Sequence, residues 1–357
     1  MPVTDQLLDI ADVRKIFASR QAGIDQQALR RTLAELSGRG RLTNRDETLF
    51  EHLRELKALS LDQIRRLLWP RGKESTTYNR LYFLTRQQLL SDARVPLTEM
   101  REWGLAGRKV YALGPGGWMW LNEEVDKQIS QRHLRREQVL HDLLVAEIYM
   151  RLLEAVRLRG KTWTITWAGE EATSFYNRGD TPVIAPDGLA IISQQQGDKV
   201  ATLPLFIELD KGREAHGRPS SDWGRKVGGY NRFFTGDWKM HPQLSNLPAF
   251  PQVAVITHGA QRLLNLAQAI KKHGQEAVVY RLALWEDLMG HEDALLAPVW
   301  LIIAEGGKMI GQEREHRQPL LLNREPETKP KPEQAEKPAA ARSSRPRKPA
   351  VEVSKTD

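Results

Sequence analysis

Apolar positions recur at helical spacing as far as about residue 158 and at strand spacing for much of the chain beyond it. In residues 5–37, Leu7, Leu8, Ile10, Val13 and Ile16 mark one or two short amphipathic helices, closed by Gly38-Arg39-Gly40. Residues 47–59 place Leu49, Phe50, Leu53 and Leu56 on one stripe. Ser60, with Gln63 three positions on, has the form of a capping box, so a second helix should start at Leu61 and run to Leu68, stopped by Pro70. A turn through Arg71-Gly72-Lys73 leads to a third helix over 78–90, with Leu81 and Leu84 inward, and residues 107–113 read as the returning strand of a hairpin. Residues 134–158 form a long helix on which Val139, Leu140, Leu143, Leu144, Ile148, Leu152 and Leu153 are spaced for burial.

Strands are then expected at 162–167, 189–193, 202–208, 253–257, 278–284 and 299–303, with helices at 223–234 and 261–272. That succession predicts a central mixed sheet and an α+β or α/β class. From residue 313 the composition shifts to Pro, Lys, Glu, Ala, Arg and Ser, which bury too little apolar surface to offset ordering entropy, so a disordered basic tail is expected. The chain divides into a helical extension (1–43), a helix-rich module (44–125), an α/β domain (130–312) and the tail (313–357).

A formal net charge of +8 favours a polyanionic partner. No apolar run approaches the roughly 18 residues of a spanning helix, and Met1-Pro2-Val3-Thr4-Asp5 lacks a signal pattern, so a cytoplasmic protein without membrane contact is expected. The chain has no cysteine, which excludes disulfides and thiolate zinc, and its nine histidines show no finger-like spacing. Any metal would be held by oxygen.

Two groups of residues carry candidate chemistry. Short helix, turn, short helix is the geometry that lays a second helix in the major groove. Thr76, Thr77, Asn79, Arg80 and Arg86 in or beside that helix, with Arg108 and Lys109 at the hairpin, form a candidate set for double-stranded DNA, with the hairpin acting as a wing on phosphate. The competing reading is a packing module with a solvated basic face. In the second group, Leu205-Phe206-Ile207-Glu208-Leu209-Asp210-Lys211 is an apolar run ending in two carboxylates that alternate onto one face of a strand, and Asp187 comes from a neighbouring strand. Three such acids are ligands that Mg2+ or Mn2+ accepts. Their alternative role is to end core strands in solvent. Lys226 and Tyr230 are one turn apart on the helix over 223–234, whereas His141 reads as a boundary or core histidine.

The order of winged helix, long helix with His141, Pro186-Asp187, Glu208-Leu209-Asp210, and Lys226 with Tyr230 resembles the replication-relaxation family, from about residue 46 to 230. That resemblance implies a part in the replication, relaxation or mobilisation of a plasmid or integrative element. The second domain is also similar to the restriction-endonuclease-like superfamily, whose order is helix, three strands, helix, strand. In that likeness Asp187 and Glu208 match the acids, Asp210 stands where the lysine is expected, and Lys226 would supply a relocated lysine beside Tyr230. The leading expectation is a DNA-binding accessory protein of a mobile element, docking duplex DNA through its winged helix. One alternative is a Mg2+- or Mn2+-dependent nuclease or nickase, with Asp187, Glu208 and Asp210 on the metal and Lys226 placing the water. The other is an inactive nuclease-like scaffold for a relaxase, a replication protein or a second copy in a homodimer.

Overall fold

The computed structural model describes residues 26–95, 97–105, 109–121, 136–176, 182–212, 214, 222–274, 278–304 and 307–321. The expected helix before residue 26, Arg108 at the hairpin and the tail beyond residue 321 lie outside them. The described residues belong to one compact unit.

Helix α1 (Gln26–Gly38) sends Leu33 and Leu36 into the same core as the helices after it. In α2 (Asn44–Leu56), Thr43 caps the amino end and Asp46 reaches back to the Thr43 backbone. The short strand β1 (Leu59–Ser60) passes directly into α3 (Leu61–Leu68), and Ser60 and Gln63 form the expected capping box at 3.2 and 2.9 Å. Helix α4 (Glu74–Arg86) begins earlier and ends earlier than the sequence pattern suggests. Gln88 takes a positive φ of 60° and the chain turns into β2 (Leu90–Arg94), so the expected helix end becomes a turn and Leu90 opens a strand. After α5 (Leu97–Glu102), β3 (Lys109–Leu113) returns between β1 and β2, antiparallel to both. Helix α6 (Pro115–Trp120) closes this module.

The long helix α7 (Arg136–Leu158) lies on one face of a seven-stranded mixed sheet. The sheet's strands, in chain order, are β4 (Trp163–Gly169), β7 (Gly188–Gln196), β8 (Lys199–Asp210), β9 (Gln252–Thr257), β10 (Tyr280–Leu284), β11 (Leu301–Ile303) and β12 (Met309–Ile310). Between β4 and β7 stand the one-turn α8 (Glu170–Thr173) and a hairpin of β5 (Phe175–Tyr176) and β6 (Pro182–Ile184), which periodicity does not signal because each strand is so short. Among the described residues, only β8 with β9 and β9 with β10 pair in parallel, joined through α9 (Asp222–Thr235) and α10 (Ala260–His273) on the opposite face from α7. Helix α11 (Trp285–Gly290) follows β10.

Strand alternation assigns the layers. Leu205, Ile207 and Leu209 join the α7 core, whereas Phe206 packs with Trp223, Val227 and Tyr230 of α9. Glu208 and Asp210 therefore point to the α9 and α10 side. The packed chain also continues past the expected end at residue 312: Asp287 of α11 binds Arg314 and Arg317, and Leu320 is buried in the α7 core. A paired buried carboxylate fixes this segment where composition alone suggests disorder.

The module and the sheet meet along α7. Gln63 donates to the Leu143 carbonyl at 2.9 Å and to Glu147 at 3.1 Å, and Arg66 makes two-point contacts with Glu147 (2.8 and 2.9 Å) and Glu154 (both 2.8 Å). Ala146, Tyr149 and Met150 of α7 sit in one core with Leu49, Phe50 and Leu53 of α2.

Candidate functional site

The acids gather where β8 and β9 end and β7 begins, the end of a parallel pair at which open sheets leave a crevice. Asp187 immediately precedes β7, and its backbone N–H donates to the Ile207 carbonyl at 2.9 Å, which fixes it beside Glu208. The adjoining Gly188 has no room for a side chain, since a Cβ there would fall 2.2 Å from the Trp167 ring. Asp187 Oδ2 accepts from the Leu209 N–H at 2.7 Å, and Oδ1 lies 2.9 Å from His141 Nε2 on α7. From the other layer, Lys226 Nζ donates to Glu208 Oε2 at 2.8 Å and the Tyr230 hydroxyl to Oε1 at 2.7 Å. Trp223, Lys226 and Tyr230 share the inner face of α9 by their i, i+3, i+7 spacing. Glu214 lies 3.2 Å from Lys226. A chain of contacts thus joins Lys226, Glu208 and Tyr230 at the sheet end, and the His141–Asp187 pair lies beside it within reach of the Lys226 charge.

Burial pushes the Glu208 carboxyl up to about 7; the Lys226 ammonium opposes this rise and the Asp187 charge adds to it. Burial also works against an ionised Asp187, yet His141 and Lys226 hold that carboxyl below the usual range. His141 and Lys226 shift upward despite burial, because each faces an acid. Tyr230 is driven well above its ordinary value by burial and the neighbouring Glu208, so it remains a donor. Two carboxylates with unlike proton affinity, a cation and an imidazole are the elements of acid–base chemistry.

Asp210 lies outside that chain of contacts although it shares a strand face with Glu208. Arg262 of α10 grips it with two bonds of 2.7 Å, Thr257 donates at 2.8 Å and the Trp223 indole at 3.3 Å. Four donors occupy about all the lone-pair sites of a carboxylate, which leaves none for a metal. Thr257 is the parallel partner of Asp210 in β9. Asp187 and Glu208 remain as two carboxylates, a donor set that fits a hard divalent ion whose other ligands are water and phosphate. Among the described residues, Glu313, Glu315 and His316 form a triple within 4.8 Å, but all three are exposed and none belongs to this site.

On the module, α4 exposes Thr76, Asn79 and Arg86, while Thr77 is fully buried. Arg80 turns inward to grip buried Asp46, with Nε 2.9 Å from Oδ1, and also donates to the Arg41 carbonyl at 2.7 Å. It anchors α4 on α2 instead of presenting its charge. Lys109 pairs with Asp92 at 3.1 Å and lies 4.9 Å from the centre of the Tyr78 ring. Tyr78 and Tyr82 are exposed on the same helix face.

His141, Arg262, Tyr78 and Tyr82 fall outside the set that residue spacing picks out. For Tyr78 and Tyr82 a signal exists, a four-residue spacing that puts both rings on one stripe beside that of Leu81 and Leu84. For His141 the signal is weak, and for Arg262 no short-range pattern exists.

The fold and site define a mixed α+β protein with a small helix-and-hairpin module ahead of a sheet whose end carries paired acids. The replication-relaxation family matches residues 50–245, more than half of the chain, and the protein belongs to that family. Membership points to a role in the replication or relaxation of plasmids or other mobile elements. No curated protein and no solved structure matches the chain. Among the described residues, no helix is long and apolar enough to cross a membrane.

Proposed function

We infer that the protein is a DNA-binding accessory factor of a mobile element, with α4 as the helix that enters the major groove. The observation that carries this reading is the exposed face of α4, on which Thr76, Asn79 and Arg86 stand clear of the core. The order α2, β1, α3, α4, β2, β3, with β3 between β1 and β2, supports a winged-helix reading. Thr76 and Asn79 are hydrogen-bonding side chains of the type that read base edges, whereas Arg86 suits phosphate or guanine. The test is anisotropy titration of labelled duplex over a salt series. Binding should weaken steeply as salt rises, with a log–log slope reflecting the phosphates contacted. Arg86→Ala should lower the affinity and flatten that slope by about one. If no duplex binds at 50 mM salt, this function is wrong.

A second reading is favoured by the convergence of Asp187, Glu208, Lys226 and His141. It is a nuclease or nickase in which Asp187 and Glu208 would hold Mg2+ or Mn2+, an ion that supplies an activated water and charge neutralisation at phosphorus. In this reading Lys226 would orient a water near Glu208, and His141 would hold or release a proton at Asp187. Incubation with supercoiled plasmid and either ion, read on a gel, decides. Metal-dependent nicking lost in Asp187→Ala supports the reading; equal products from wild type and variant remove it. A relaxase, a replication protein or a second copy is the partner expected if the domain works as a scaffold, in which case the plasmid shifts without being cut.

A further inference from the structure

Tyr78 and Tyr82 are 40% and 51% exposed, one turn apart on α4, with rings 17° from parallel and centroids 6.4 Å apart. The other large apolar side chains exposed among the described residues, such as Leu158, Tyr176 and Met240, lie on other elements. Single exposed tyrosines need no explanation, but two stacked rings on the helix assigned to DNA do. Lys109 of β3, paired with Asp92, lies over one side of the Tyr78 ring, and the exposed Arg86 follows on the carboxyl-terminal side of the same helix. Aromatic faces flanked by cations have the chemistry of a nucleobase platform with phosphate contacts beside it.

The nature of the surface constrains the nucleic acid. An intact duplex offers the major groove only base edges, because the faces are stacked within the helix. Tyrosine gains most from a base face, and a base must leave the stack to present one. We propose that Tyr78 and Tyr82 form a stacking platform for unpaired bases, so that the protein prefers melted, gapped or mismatched DNA to intact duplex of the same sequence. This rests on the DNA-binding reading above and specifies the form of its substrate.

The test uses the full chain and three labelled DNAs of one sequence: intact duplex, duplex with a two-base mismatch bubble, and single strand. 2-Aminopurine at the bubble reports stacking by quenching. Wild type should bind the bubble about tenfold more tightly than duplex and quench the probe, given the usual gain from aromatic stacking. Tyr82→Ala and the double variant Tyr78→Ala with Tyr82→Ala should lose that preference while keeping duplex affinity, and Tyr82→Phe should retain both. Equal affinity for bubble and duplex, or a preference unchanged in the double variant, overturns the platform and leaves duplex binding standing. Absence of binding to all three DNAs overturns both readings.

Discussion

Replacing Asp210 with alanine separates an anchor from a metal ligand. The carboxylate is fully buried, and its four donors include Nε and one Nη of a guanidinium whose side chain is only 14% exposed. Asp210→Ala takes the carboxylate from that guanidinium, which keeps its bond to the Glu214 carbonyl, and leaves the Thr257 and Trp223 donors without this acceptor. Breaking one partner out of a buried pair costs about 3–5 kcal/mol. At roughly 2–4 °C per kcal/mol for a domain of this class, the midpoint of thermal unfolding should fall by about 10 °C. Arg262→Met on top of Asp210→Ala should recover part of the loss, since the stranded charge is then gone, and the cycle should give a coupling of about 1–3 kcal/mol. The assay is calorimetry or circular dichroism on four proteins, with Mn2+ titrated at 10 °C where all are folded. A fall of less than about 2 °C, under 1 kcal/mol on the same scale, would refute the anchoring role. Unchanged stability combined with weakened Mn2+ binding would return Asp210 to the ligand set.

Three further outcomes are expected. Lys226→Met leaves Glu208 buried without its ammonium; because the folded Glu208 is already raised from 4.5 to about 7, its favourable state is the protonated one, present below about 4.5 and lost as pH rises through the folded value. The urea midpoint should therefore drop more at pH 8 than at pH 5, and equal losses would contradict the assignment. His141 should titrate above 6.5 by NMR of its ring proton and fall below that value in Asp187→Asn, where burial and the Lys211 charge are opposed only by the lesser pull of Asp142; a value indifferent to the substitution would remove Asp187 as its partner. Arg66→Ala takes the two-point partner from Glu147, whose side chain is 6% exposed and keeps Gln63 and Arg151, so a loss of about 2 kcal/mol in one cooperative transition is expected. Two resolved transitions would mean that the module and the sheet unfold separately.

The features legible in the sequence are those governed by local spacing. The Ser60–Gln63 cap, the stripe of α7 and the shared face of Glu208 and Asp210 each depend on residues within a turn or two of one another. The partners of those acids are not local. Asp187 meets His141 across 46 positions and Asp210 meets Arg262 across 52, pairings that exist only once β8 and β9 have set their register. Two carboxylates on one strand face therefore look equivalent in sequence and differ in the fold, because α9 delivers a lysine and a tyrosine to one and α10 an arginine to the other. The same limit applies to Arg80. Its exposure depends on Asp46, 34 positions away, and a basic side chain on a helix cannot be assigned to DNA before its inward partners are known.

Whether α4 and the acid end can act on one DNA depends on what fixes their relative orientation, and the seam along α7 answers as a contact surface rather than a hinge. Gln63 and Arg66 are spent on α7, and Arg157 returns two bonds to the carbonyls of Arg66 and Leu67 at 3.0 and 2.8 Å. Lys57 adds a charge at the same seam. It occupies the left-handed region at φ 64°, a conformation that a lysine adopts at a cost of order 1 kcal/mol and keeps only when its surroundings hold it there. Its ammonium pairs with Glu170 of α8, and its charge opposes the burial that pushes neighbouring Asp142 up to about 6. Asp142 adjoins His141 on α7. The module thus supplies both the mechanical brace and one of the charges around the acid end, and cutting the chain between residues 121 and 136 to isolate either half would remove Lys57, Gln63 and Arg66 from their acids at once. The family match, residues 50 to 245, takes in α3, α4, α7 and the acid end together.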